Sequence, residues 1–232
     1  MPNDALLLAS WPTWMKEQHR TFMEQLVDRP ANSAWIGVAS VDNLLGRNGK
    51  RTRRRDGHVV LLGNEPENEV FVWEPAKSSW SPELWIAPNR VDYRSVYERF
   101  LKVYWPGSDI NEVSNHVDHV FPKAPATLGG LSHVRLLAIP QRSNVSAGTL
   151  EKQMKARNIV RGARGKQTRL ATPYSLGKAM GYVGYADLQT LDGRRRIAAG
   201  LMQALREVGT LEEITESGLA EELLIKTLAD LR

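Results

Sequence analysis

The chain contains no cysteine. Disulfides, thiolate-held zinc and cysteine nucleophiles are therefore excluded. Long apolar runs are missing as well: stretches such as ALLLA and VVLL fall far short of the roughly 20 residues that a membrane-spanning helix needs. The opening MPNDALLLASW has no basic segment ahead of its apolar one, so a cleaved signal peptide is not expected. Histidine is scarce, with five in 232 residues. Two of them, His116 and His119, nevertheless fall within four residues, in NHVDHVFPK (115–123), and His133 follows soon after.

What is present is ordinary in bulk and uneven in detail. At 42% hydrophobic and 25% charged residues, the composition is that of a globular protein. The net charge of +5 comes from local runs. RNGKRTRRR (47–55) holds six basic residues and no acidic one. Taking those six from the 31 Lys and Arg leaves 25 against 26 Asp and Glu. A second stretch, RNIVRGARGKQTR (157–169), carries five basic residues and no carboxylate, whereas the chain beyond Glu207 is acidic. Such runs are either solvated loops or surfaces that face a polyanion. KRTRRR (50–55) also fits a nuclear-localisation pattern.

Periodicity predicts a mixed order of elements. The first 30 residues read as helix, broken near Pro12 and ended by Pro30. AWIGVASV (34–41) and HVVLLG (58–63) read as the two arms of a hairpin with the basic run at its tip; EVFVWEP (69–75) and ELWIAP (83–88) read as further short strands. DYRSVYERFLKVYW (92–105) has helical spacing, with Asp92 as its N-cap. HVDHVF (116–121) and HVRLLAIP (133–140) read as strands around the loop PKAPATLGGLS. A helix is expected over 146–158 after a QRSN turn, then a basic linker, a short helix from Pro173 to near Gly181, and two closing helices. Strands and helices do not alternate regularly, so the expected class is α+β. All seven tryptophans precede residue 110 and sit among apolar neighbours, which favours core packing over base stacking.

The chemistry points to residues 116–158. An Asp-His pair ends one strand, a second strand returns, and Asn144 stands where the next helix begins. A carboxylate with an amide oxygen is a hard donor set, suited to Mg²⁺ that keeps several waters. An imidazole beside it titrates near neutrality and could deprotonate water. Each residue also has a plainer role. Asp118 and His119 could form a structural pair, Asn144 could be a helix cap, and His116 could be a surface side chain rather than a phosphate contact or third ligand. Arg135 and Arg142 could be solvated rather than bound to phosphate.

VDHVFPK followed by HVRLLAIPQRSNVSAG resembles the ββα-metal motif of HNH endonucleases (the His-Me finger group). The likeness is nearest to the HNH domain of CRISPR effector nucleases and to the endonuclease VII branch. It covers roughly residues 113–158. The resemblance implies that Asp118 and Asn144 hold Mg²⁺, or Mn²⁺, that His119 is the general base, and that His133 holds the loop and orients the base. Many members brace this hairpin with a cysteine-bound zinc; without cysteine, apolar packing from the N-terminal strands is expected to do so.

The expected protein is therefore a ββα-metal (HNH) core at 111–160, preceded by a helix and β-rich elaboration at 1–110 and followed by a basic linker and C-terminal helices at 161–232. Its expected activity is metal-dependent hydrolysis of phosphodiester bonds in DNA, with RNA left open. Lys50, Arg51, Arg53, Arg54 and Arg55 of the first basic run, Arg135 and Arg142 of the motif, and Arg161, Arg164 and Lys166 of the second run are the expected phosphate contacts. The expected compartment is a bacterial or phage cytoplasm. The acidic C-terminal helices would serve a homodimer or a partner protein. Two rival readings are a nucleic-acid-binding protein that keeps the hairpin without catalysis, and a nuclease toxin delivered to rival cells.

Overall fold

The computed structural model describes residues 10–27, 34–45, 56–148, 168–171, 173–179 and 181, with a few positions between 190 and 199. They form a mixed α/β structure in which helices pack on a curled antiparallel sheet. Its strands are β1 (Trp35–Val38), β2 (Gly57–Val60), β3 (Val70–Pro75), β4 (Glu83–Ile86), β5 (Asn115–His119), β6 (His133–Pro140) and β7 (Thr168–Leu170). The order is β2-β3-β4-β6-β1-β7, with β5 joined to β6 off that path. Among the described residues no helix is long and apolar enough to cross a membrane.

β6 organises the sheet. Its first residues lie between two strands: His133 and Val134 face Val38 and Gly37 of β1, while Val134 and Arg135 face Ile86 and Trp85 of β4. Past Arg135 it changes partner, and Leu136 to Pro140 pair with His119 to Asn115 of β5. All of HVRLLAIP except the proline is buried.

Burial also decides against the hairpin expected from residues 34–41 and 58–63. β1, WIGV, is buried at every position and takes a central place between β6 and β7. Such a strand needs cover on both faces, which a two-stranded ribbon does not provide. β2 is only half-buried and forms the sheet edge, paired with β3. The stretch after β1 begins with a short helix, α2 (Val41–Leu45). β7, from the second basic stretch, pairs along β1 where a linker was expected.

Helix α1 (Thr13–Val27) buries Trp14, Met15, Phe22 and Met23 on one face. The same face carries the buried polar residues Gln18, His19, Thr21 and Gln25, so it needs polar partners below. β6 supplies one: His19 Nε2 lies 2.8 Å from the Ala138 carbonyl oxygen. Helix α3 (Tyr93–Tyr104) buries Val96, Tyr97, Phe100 and Leu101 at helical spacing, and the Tyr97 hydroxyl accepts from the Ala138 N–H at 3.1 Å. Side chains thus meet β6's main chain where no third strand runs. Asp92 is the N-cap residue of α3 but makes no capping bond; Arg90 holds its carboxylate at 2.6 Å. Five of the tryptophans, Trp11, Trp14, Trp35, Trp73 and Trp85, are core residues as expected. This apolar packing from α1, α3, β1 and β4 braces β6.

The loop between β5 and β6 contains helix α4 (Lys123–Leu128). It ends at Gly130, whose φ of 68° is one that L residues rarely adopt, and the Leu131 N–H returns to the Ala126 carbonyl at 3.0 Å. Helix α5 starts at residue 141, directly after β6, and is described to 148. The QRSN segment is therefore the first turn of this helix, and Asn144 lies inside it instead of capping it. α6 (Pro173–Ala179) packs on β6.

Candidate functional site

β5 alternates. Asn115, Val117 and His119 are buried, while His116 and Asp118 turn to the partly open face. The β5–α4–β6–α5 path then returns the chain so that the first turn of α5 lies over that open face. Asn144 Nδ2 donates to His116 Nδ1 at 3.1 Å. His116, Val117, Asp118 and Asn144, with Tyr93 and Arg94 from the start of α3, line a cleft of about 320 Å³. Asp118 and Asn144, 26 residues apart in the chain, thus share one cleft.

Asp118 is held from two sides. Its Oδ1 accepts the His119 N–H at 2.7 Å, and its Oδ2 lies 2.8 Å from Lys178 Nζ of α6. Burial by itself would push this carboxyl up, but His119 and the Lys178 ammonium outweigh it and hold it well below the usual carboxylate range. Asp118 is therefore ionised at neutral pH, with 23% of its side chain open to the cleft.

His119 is on the other face of the strand. Its side chain is 1% exposed, and neither ring nitrogen makes a hydrogen bond. Nδ1 is 3.7 Å from Asp118 Oδ1, too far for one. Burial lowers its pKa, against the pull of Asp118, so the ring is neutral at pH 7. The Tyr93 ring meets it edge-on at 5.0 Å, and Lys123 Nζ lies 4.2 Å over Tyr93. Tyr93 therefore touches His119 and also lines the cleft.

The remaining expected site residues divide clearly. His133 is not beside the cleft side chains. It pairs opposite Val38 in the sheet, with Nε2 3.0 Å from the Glu67 carbonyl, Nδ1 2.8 Å from Ser132 Oγ, and the Phe71 ring edge-on at 4.8 Å. It anchors the segment before β3 and does not orient His119. Arg135 is a correction too. As a residue of the central strand it is 1% exposed, bonded to Gln25 at 2.7 Å, 3.4 Å from Glu83, and over the Phe22 ring, so it cannot meet a phosphate. Arg142 is exposed in the first turn of α5, two residues before Asn144. Lys50, Arg51, Arg53, Arg54, Arg55, Arg161, Arg164 and Lys166 lie outside the described residues, as does all of the chain from residue 200 onward.

Sequence reasoning missed Lys178, Tyr93 and Arg94. Lys178 carries no local signal: its short helix reads as ordinary, and only packing on β6 brings it to Asp118. Tyr93 and Arg94 were legible as the start of a helix but not as neighbours of a strand more than 20 residues on.

Comparison with protein-family models, with curated proteins and with solved structures returns no match. The chemistry of the cleft therefore rests on its own geometry. Among the described residues no group of three or more His, Cys, Asp or Glu side chains is arranged to hold a metal ion. The donors at the cleft are one carboxylate, one amide and one imidazole. Such a sparse set with an ionised oxygen suits a hard divalent ion that keeps most of its water. Asp118 Oδ2 already receives the Lys178 ammonium.

Proposed function

We propose that this protein is a metal-dependent phosphodiesterase of the HNH type, acting on nucleic acid, with 115–148 as its ββα-metal core. The observation that carries the reading is the cleft itself: strand, strand and helix bring Asp118 and Asn144 together beside the His116 imidazole, with His119 buried behind Asp118 on the other face of the strand. Asp118 and Asn144 would hold Mg²⁺ or Mn²⁺. When bound, such an ion supplies positive charge to a scissile phosphate and its departing oxygen.

The chain's own groups supply the rest. His116 takes the Asn144 N–H, leaving the amide oxygen as the donor for a hard cation. His119 is the proposed base. Its neutral ring can accept a proton, and two buried ring nitrogens without hydrogen bonds are costly enough to call for a functional reason. Tyr93 has to shift before His119 meets water in the cleft. Arg94, which lines the cleft, and Arg142, exposed in the first turn of α5, would hold phosphate oxygens without reading sequence. DNA is the proposed substrate, bound also by the two basic runs. The alternative base is His116, which already faces the cleft.

Supercoiled plasmid with Mg²⁺, Mn²⁺ or EDTA tests the reading. Metal-dependent nicking that is lost in Asp118→Asn and His119→Ala is expected. Loss in His116→Ala with survival in His119→Ala would transfer the base to His116. Salt-sensitive DNA retention without cleavage under any condition would replace the enzyme with a binding protein.

A further inference from the structure

The carboxylate that would receive the metal is already paired with a cation from outside the strand–strand–helix unit. Lys178 Nζ stands 2.8 Å from Asp118 Oδ2 with its side chain 1% exposed. The same residue is tied again through its main chain, because Ser143 Oγ donates to the Lys178 carbonyl at 2.8 Å. Ser143 is fully buried and immediately precedes Asn144. One residue of α6 thus grips β5 by its side chain and α5 by its backbone, the two elements that carry the proposed donors.

A buried ammonium is expensive, and an apolar side chain would pack under α6 as well. Its carboxylate partner, moreover, is the one that opens into the cleft. A cation arriving on Asp118 meets this positive charge at hydrogen-bond distance, and it must either share the carboxylate or take Oδ2 away. In a half-buried site such repulsion is poorly screened.

We propose that Lys178 is the resident counter-cation of the Asp118 seat: it holds Asp118 and Asn144 in register while no divalent ion is bound, and a divalent ion binds by displacing it from Oδ2. This rests on the metal-dependent reading above and adds to it the residue that sets the ion's affinity. Metal entry and the docking of α6 are then linked, because releasing Nζ loosens one of the ties that hold the helix to β5 and α5.

Mn²⁺ binding to the full chain, followed by the electron paramagnetic resonance of the free ion, tests this in the wild type, Lys178→Met and Asp118→Asn. Lys178→Met is expected to bind Mn²⁺ at least about tenfold more tightly, since a charge-assisted hydrogen bond no longer competes. Asp118→Asn is expected to lose the site. Equal or weaker binding in Lys178→Met, with binding still lost in Asp118→Asn, would overturn the displacement and leave Lys178 a structural tie while the metal reading stands. Absence of Mn²⁺ binding in the wild type and in Lys178→Met would remove the metal reading and this proposal together. Should Lys178→Met fail to fold by circular dichroism, the wild type decides by amine labelling read by mass spectrometry. Lys178 should become several-fold more reactive when Mn²⁺ is added, with exposed Lys77 unchanged; protection that does not change would overturn the proposal.

Discussion

Replacing His119 with leucine should raise stability and abolish activity in the same molecule. The imidazole is 1% exposed, and neither of its nitrogens makes a hydrogen bond. A buried polar group without a partner costs about 1–3 kcal/mol, which leucine removes while still filling the site. Against this, the edge-on contact with Tyr93 is lost, worth about 0.5–1.5 kcal/mol. The net change is of order +1 kcal/mol, or a rise in Tm of about 2–4 °C for a chain of this size. Loss of a general base should lower plasmid nicking by about 10²–10⁴-fold. Thermal melts by circular dichroism and a nicking assay on the same preparations measure both. A variant that melts several degrees lower would mean that the ring nitrogens are satisfied in solution, and the functional argument from their isolation would fail. Nicking within tenfold of wild type would remove His119 as the base whatever the stability.

Acid should destabilise the protein through two other buried imidazoles. Burial lowers the pKa of both His19 and His133 to about 4, so between pH 6.5 and 4 the unfolded chain binds protons that the folded one does not. Their contribution is complete above pH 6.5 and is lost as pH falls toward 4, up to roughly 3 kcal/mol for each; urea midpoints measured from pH 7.5 to 4 should fall steadily, and a flat profile would contradict the burial. Arg135→Ala leaves Glu83 buried without that partner and should cost about 3–5 kcal/mol in denaturant melts, whereas Arg142→Ala should leave the melt unchanged and weaken DNA retention. Asn144→Leu removes the amide donor beside His116 and should weaken Mn²⁺ binding by about tenfold or more with little loss of stability, read by Mn²⁺ titration beside a thermal melt. Gly57→Ala would place a Cβ 2.4 Å from the Glu74 carbonyl oxygen, so a drop in Tm of several degrees is expected from the β2–β3 edge.

Much of the local structure could be read from the chain, because it depends on neighbours a few residues away. The helical spacing of DYRSVYERFLKVYW, the apolar runs WIGV and HVRLLAIP, and the stops at Pro75 and Pro140 are short-range facts. So is the order of strand, strand and helix around VDH and SN, which suggested Asp118 and Asn144 as a pair; the fold brings both to one cleft. Pairing between distant segments was decided only by tertiary structure. WIGV was free to pair with HVVLLG by proximity, but a strand buried at every position had to lie inside the sheet, and β6 was the partner that could cover it. His133 was expected at the site from the resemblance to HNH endonucleases, and Arg135 as a phosphate contact. Their strand became the centre of the sheet, where an imidazole and a guanidinium survive only by bonding to Glu67, Gln25 and Glu83. The pleat then set Asp118 and His119 on opposite faces, although they are adjacent in the sequence. Lys178 shows the limit most plainly: a lysine in a short helix 60 residues from Asp118 carries no sign of its partner until α6 docks and burial leaves its charge to be satisfied by Asp118.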